Sequence, residues 1–252
     1  MVHASNSWAW DLGVSDSEKE EFIIHLDKDG RKYYNAYYEW CEQLADAFTA
    51  LKEAGVTVIY RPFVEMTNSS SDFWVQYCNT EAEYAAFKRV WRQTYDYMVK
   101  ERGLYNVIWC LAPQFDGDMK EVYDNFYPGD EYVDVIGLTL YSYGTDSRTG
   151  SLEARLKNVT NADYIFSLGK PVGFSEIGVC YYNWDIGYTF SEENKYGDFE
   201  NLIVKLKEAF AGKISFCSLW ASTAGPFNPQ NRNPEKFIQD EFFIGLDELM
   251  NS

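Results

Sequence analysis

What this 252-residue sequence lacks narrows its function quickly. No stretch approaches the ~18 consecutive apolar residues of a bilayer-spanning helix, so no membrane partner is expected. Histidine is scarce: only His3 and His25 are present, with no HExxH and no paired spacing. An ordinary zinc site is thereby removed, and a Ser-His-Asp triad would have to recruit one of those two. The five cysteines (Cys41, Cys78, Cys110, Cys180 and Cys217) are odd in number, widely spaced and without a CxxC, so neither a disulfide framework nor a metal is indicated. Neither GxGxxG nor GxxxxGK[ST] occurs, which leaves no nucleotide-binding turn and no cofactor to expect. Positive charge is outnumbered, 22 Lys+Arg against 39 Asp+Glu for a net −17. Such a surface repels phosphate backbones, and no nucleic-acid partner is expected. Met1-Val2-His3-Ala4-Ser5-Asn6 has neither the basic region nor the apolar core of a signal peptide. The chain is therefore expected to be intracellular, or secreted or held at the cell surface if its gene supplies a signal elsewhere.

What is abundant is aromatic: 17 Phe, 8 Trp and 20 Tyr, or 18% of the chain. A core uses Phe freely, but this many Trp and Tyr suggest that some rings face a polar, ring-shaped ligand. A sugar is the neutral ligand that best suits an acidic, ring-rich protein.

Apolar runs of strand length alternate with amphipathic stretches. The strand candidates are Val2–Trp8, Val56–Phe63, Asn106–Ala112, Val133–Tyr141, Pro171–Ile177 and Ile214–Trp220. Most are continuous apolar runs, the pattern of parallel strands buried on both faces. Helices are predicted over Tyr33–Ala54, stopped by Gly55, and over Thr80–Arg102, opened by a capping box at Thr80 and stopped by Gly103. Further helices are expected at Asp198–Ala211 and from Pro234 onward, with a broken one across Ser151–Leu168. No linker or repeat divides the chain, so a single domain over residues 1–252 is expected. Polar residues cluster where strands end: Glu65, Tyr141, Glu176 and Trp220. That placement selects a TIM barrel over an open doubly wound sheet. At roughly 30 residues per βα unit, six strands fall about two units short of a (β/α)8 barrel at the N-terminus, so either a strand is missed in this count or the barrel is expected to be truncated.

With metals and histidine nucleophiles set aside, carboxylates carry the chemistry. Glu65 follows Arg61-Pro62-Phe63-Val64, and Glu176 follows Gly173-Phe174-Ser175. A charge at the end of an apolar strand is costly unless paired or used. Each could be a structural ion-pair partner, Glu65 with Arg61 for example. Two such acids expected at one barrel mouth are better explained as a catalytic pair, the equipment of glycoside hydrolysis.

Three stretches carry a family resemblance. Val58-Ile59-Tyr60-Arg61-Pro62-Phe63-Val64-Glu65-Met66, followed by Asp72-Phe73-Trp74, resembles the R-P-x-H-E-M segment of glycoside hydrolase family 26, a family mostly of β-mannanases. Tyr127-Pro128-Gly129-Asp130-Glu131-Tyr132-Val133-Asp134, after Ala112-Pro113, resembles its Y-P-G-D-x-Y-V-D segment. Gly173-Phe174-Ser175-Glu176-Ile177-Gly178 resembles its nucleophile strand. The resemblance implies that Glu65 is the acid/base and Glu176 the nucleophile of a retaining endo-β-glycanase. It makes Tyr141 the hydrogen-bond partner that keeps the nucleophile ionised, and Trp220 the platform under the central sugar. Trp74 would extend the cleft beyond the acid/base, Trp8 would be a further substrate-binding residue, and Arg61 would order the strand ends and lower a carboxylate pKa.

The chain departs from the family at two histidines. Val64 stands where His usually precedes the acid/base, and Ala9 stands where His follows Trp8. The Gly-Leu-Asp-x-Tyr segment also becomes Gly137-Leu138-Thr139-Leu140-Tyr141. β-1,4-Mannan is the first substrate expected, with β-1,3-xylan or mixed-linkage β-glucan, or a weakly catalytic sugar-binding protein, as alternatives. The resemblance would align Ser7-Trp8 with the third barrel strand, making the six strands three to eight of the barrel. Such a remnant would leave two open sheet edges, expected to be covered by self-association or by rearrangement.

Overall fold

A computed structural model of the chain describes residues 2–3, 12, 14, 22–28, 32–67, 78–143, 152–180, 182–183, 188–189, 197–220, 224–229 and 231–243. These residues belong to two compact units. The first comprises Met1–Gln114, Met119–Gly137 and Asp163–Pro171, and the second Phe115–Asp118, Leu138–Ala162 and Val172–Ser252.

In the first unit the chain runs β1 (Val2–His3), α1 (Tyr34–Glu53), β2 (Val58–Arg61), α2 (Glu81–Tyr95), β3 (Val107–Leu111), α3 (Met119–Phe126) and the start of β4 (Val135–Tyr143). Every pairing is parallel: Val2 opposite Tyr60, Tyr60 opposite Trp109, and Cys110 opposite Val135. The strand order β1-β2-β3-β4 is therefore also the chain order. The helices between are bounded by the signals visible in the sequence. Gly55, at φ +74°, closes α1: its N–H donates to Lys52 C=O and Val56 N–H donates to Leu51 C=O at 2.9 Å. Those are the two bonds of a Schellman motif, which a left-handed glycine permits. Thr80 opens α2 with both halves of a capping box, Glu83 N–H to Thr80 Oγ1 and Thr80 N–H to Glu83 Oε2. The helix then runs on as a π-helical turn over Asp96–Glu101 before Gly103.

Rings fill the layer between these helices and the strands. Tyr60 meets Phe48 of α1 edge-on at 5.3 Å and Trp109 of β3 at 5.2 Å. Trp109 in turn meets Trp91 and Tyr95 of α2. Trp91 and Trp109 are both wholly buried. Much of the aromatic surplus is thus core, each buried ring contributing about 2–3 kcal/mol, and only part remains for ligands. The Tyr127–Asp134 segment is fastened into the same layer. Trp91 Nε1 donates to Tyr132 C=O, Arg92 Nε donates to Pro128 C=O, and Asp134 Oδ2 accepts Trp109 N–H at 2.8 Å. The middle stretch of the family resemblance therefore builds structure, tying α2 and β3 to the start of β4. On the far side of α2, burial would raise the Asp27 carboxyl. Hydrogen bonds from Gln93 and Arg89, with the Arg89 charge, hold it below its usual value instead.

The second unit holds the rest of β4, then α4 (Leu152–Asn158), β5 (Val172–Cys180), the short antiparallel pair β6 (Tyr182–Asn183) and β7 (Tyr188–Thr189), α6 (Phe199–Phe210), β8 (Phe216–Leu219) and α7 (Pro234–Ile238). The intervening α5 (Asp163–Ser167) lies in the first unit, and the predicted break across Ser151–Leu168 is the gap between α4 and α5. Strands run in the order β4-β5-β8, with β5 and β8 parallel. Asp198 caps α6 by accepting Glu200 N–H and Asn201 N–H. Gly173 is required on β5, because a Cβ there would lie 2.4 Å from Phe216 C=O. The fold is α/β, with strands and helices in the order of a (β/α) barrel. The strand expected over Val2–Trp8 is described only at Val2–His3; its remainder lies outside the described residues.

Candidate active site

Glu65 stands on a turn that interrupts a ladder. Val58 N–H donates to Asn106 C=O at 2.8 Å while Val58 lies opposite Val107. Continued in that register, the strand would present Val64 N–H to Ala112 C=O. Glu65 N–H makes that bond instead, at 3.0 Å. One extra residue has been accommodated between Arg61 and Glu65. Pro62, with no N–H, ends the regular ladder. Phe63 and Glu65 then take left-handed backbone, at φ 51° and 52°. That conformation costs a non-glycine residue about 1–2 kcal/mol. Burial of the Phe63 ring against α1 and α2 offsets a cost of this size: it stacks on Tyr37 and meets Phe87 and Trp91 at 5.6 and 6.5 Å. Val64 and Met66 are buried on either side, while Glu65 itself is partly open. Arg61 is buried near Cys110, whose thiol burial pushes up to about 12 against the pull of the Arg61 charge.

Glu176 stands on β5 in the second unit. Phe174 pairs with Cys217, yet Ile177 pairs with Leu219, so β5 advances three residues while β8 advances two. The inserted residue falls at Ser175 or Glu176, a bulge of the kind that re-aims a side chain. Glu176 is only 7% exposed, and Tyr141 from β4 donates its hydroxyl proton to Glu176 Oε1 at 2.6 Å. A phenol–carboxylate bond this short is charge-assisted and holds the acceptor in one orientation. Gly178, two residues along, makes room for the phenol: a Cβ there would lie 3.2 Å from Tyr141 Cε1 and 2.5 Å from Ala224 C=O. Arg155 Nη1 donates to Tyr141 C=O from α4. Trp220 follows β8, its N–H donating to Ile177 C=O at 2.8 Å and its indole 41% exposed.

The structure thus brings Tyr141 and Glu176 into direct contact and sets Trp220 at the adjoining strand end. Trp8 and Trp74 lie outside the described residues. The sequence does not single out Gly178 or Arg155 as site residues. Gly178 closes the nucleophile-like stretch and could have been noticed as a space-maker, whereas nothing in the sequence points to Arg155. Among the described residues no group of three or more His, Cys, Asp and Glu is placed to hold a metal ion. No described helix is long and apolar enough to cross a membrane.

Parallel strands in chain order, with isolated acids at their C-terminal ends, define a protein of the (β/α)-barrel class. The chain belongs to glycosyl hydrolase family 26, whose model matches residues 2–211. It is 35% identical over 139 residues to a mannan endo-1,4-beta-mannosidase of Bacillus subtilis, covering 54% of this chain and 34% of that one. It is 26% identical over 239 residues to the mannan endo-1,4-beta-mannosidase A and B of Caldalkalibacillus mannanilyticus, covering 92% and 40%. Among solved structures it resembles a Bacillus subtilis mannanase, with TM-score 0.66 and 21% identity over 88% of this chain and 57% of that one. It also resembles a beta-mannanase from a symbiotic protist of the termite Reticulitermes speratus, solved with a gluco-manno-oligosaccharide, with TM-score 0.57 and 25% identity over 90% and 58%. The chain spans well under two thirds of the length of each of these relatives.

Proposed function

We propose that the chain cleaves β-1,4-mannan-type polysaccharide internally and with retention, as one catalytic domain over residues 1–252. The observation that carries this reading is the buried Tyr141–Glu176 hydrogen bond on a bulged strand end. A carboxylate so held is aimed in one direction. Glu176 attacks the anomeric carbon as the C–O bond to the leaving sugar breaks, and Glu65 gives its proton to the departing oxygen. In the second half, Glu65 takes a proton from water, the water oxygen bonds to the anomeric carbon, and the glycosyl–Glu176 ester bond breaks. The part-open position of Glu65 suits a group that must exchange protons with water. Trp220 offers its indole face to the central sugar, Trp74 extends the cleft beyond the acid/base, Trp8 binds substrate, and Arg61 orders the strand ends. Mannan is preferred because the relatives above are named mannosidases and mannanases.

The test is reducing-end release from galactomannan, glucomannan, lichenan, β-1,3-xylan and β-1,4-xylan, beside Glu65→Gln and Glu176→Gln. Cleavage of the mannans that disappears in both variants supports the proposal. Cleavage surviving Glu176→Gln removes the nucleophile assignment. Cleavage of lichenan or β-1,3-xylan alone moves the substrate, and binding without cleavage leaves a sugar-binding protein. Val64, buried where the family has His, is the observation that keeps the other polymers in the panel. We further propose self-association through the outer strands. Every residue of β8 is half-exposed, beside an apolar groove of about 260 Å³ lined by Phe216, Leu219, Phe237, Ile238 and Phe243. A monomer by light scattering at every concentration would dismiss it. Secretion or surface display, where these polymers are met, requires a signal peptide in the gene.

A further inference from the structure

Alternation along β2 places Phe63 on the same side as Arg61, away from Tyr60. Its ring lies on the opposite side, among Tyr37 of α1 and Phe87 and Trp91 of α2, the two helices that border this turn. The left-handed φ of 51° is what carries it across. The box that receives the ring is itself tied shut: Tyr37 Oη and Thr94 Oγ1, one on each helix, share a hydrogen bond of 2.6 Å. Two residues later the chain makes its second left-handed step at Glu65, whose N–H reaches Ala112 C=O at the end of β3. The acid's main chain is therefore fixed at one end by a ladder bond and at the other by a buried ring. A glycine at 63 would adopt the same backbone without strain. The strained phenylalanine is explained by what its ring does.

We propose that Phe63 is a positioning residue for Glu65: the ring, locked between α1 and α2, holds the left-handed turn that presents the acid/base carboxyl. This rests on the assignment of Glu65 as acid/base. A misplaced acid hinders departure of a sugar, which needs a proton, but not departure of dinitrophenolate, which leaves without one.

The experiment compares mannan hydrolysis with the first-turnover release of dinitrophenolate from dinitrophenyl β-mannobioside, for wild type, Glu65→Gln, Phe63→Leu and Phe63→Met. Glu65→Gln is the reference, and is expected to lose mannan hydrolysis and keep the burst. Both Phe63 variants are expected to lower kcat on mannan by about 10- to 100-fold, the scale of an ångström-level misplacement. Their dinitrophenolate burst should stay within about threefold of wild type, and the alkaline limb of the pH profile should shift with the acid. Phe63→Met nearly conserves volume and keeps the test open if Phe63→Leu fails to fold. Equal losses on both substrates, or none on either, overturn the positioning role. If Glu65→Gln keeps mannan hydrolysis, it is the acid/base assignment that fails, a result distinct from either Phe63 outcome.

Discussion

Glu65 and Glu176 each stand where a parallel ladder has taken in one extra residue, but the two are held by different means. Glu65 sits part-open on a left-handed turn, its backbone bonded to Ala112 and its position set by rings two residues upstream. Glu176 is buried, and its own carboxylate oxygen is gripped by Tyr141 across 2.6 Å. One station fixes the main chain of a residue that is itself only partly buried. The other fixes the carboxyl itself. A group that must gain and lose a proton in each cycle is served by the first arrangement, and a group that must stay charged and aimed by the second.

The largest effect expected from breaking this contrast is at Glu176. Glu176→Gln removes the proposed nucleophile and should lower kcat on mannan by about 10⁴-fold or more, measured by reducing-end release. Tyr141→Phe leaves the shape and deletes the hydroxyl. Loss of a hydrogen bond to a charged group costs roughly 1.5–3 kcal/mol, so a fall in kcat of about 10- to 100-fold is expected with KM little changed. An unchanged kcat would mean that the tyrosine is a packing residue. Gly178→Ala acts on the same station indirectly, pressing a methyl group on Tyr141 and Ala224. It should cost about 1–3 kcal/mol of stability in a urea titration, and activity should fall alongside.

The smallest effect lies on the Glu65 side. Asp27 binds Arg89 and Gln93, on the helix that carries Phe87 and Trp91. Its carboxyl is held below its ordinary value of 3.8, so its contribution to stability is complete above that pH and is lost as the pH falls through the lowered value. Asp27→Asn should therefore flatten the acid limb of the stability curve, read as the urea midpoint between pH 5 and pH 2.

Much of this was legible in the sequence, because strong signals are local. Gly55, Thr80, Gly103 and Asp198 mark helix ends wherever tertiary contacts lie, and from β2 onward the apolar runs mark the strands of the parallel sheet within about three residues. The two insertions were not legible. Arg61-Pro62-Phe63-Val64-Glu65 reads as a strand running out, and only the bond from Glu65 to Ala112 reveals the added residue. Nor does composition tell a core ring from a solvent-facing one, since Trp109 and Trp220 look alike until β3 and β8 are seen in place. Tyr141 and Glu176 are 35 residues apart, and their hydrogen bond depends on neighbouring strands bringing them side by side.

Trp220 has a practical consequence. Among the described tryptophans Trp91 and Trp109 are sealed from water and Trp40 is partly buried, whereas Trp220 is 41% exposed. A water-facing indole emits at longer wavelength and is reached first by a soluble quencher. An oligosaccharide seated on it would turn the emission bluer and shield it from iodide, so occupancy could be followed in unlabelled protein by its fluorescence alone.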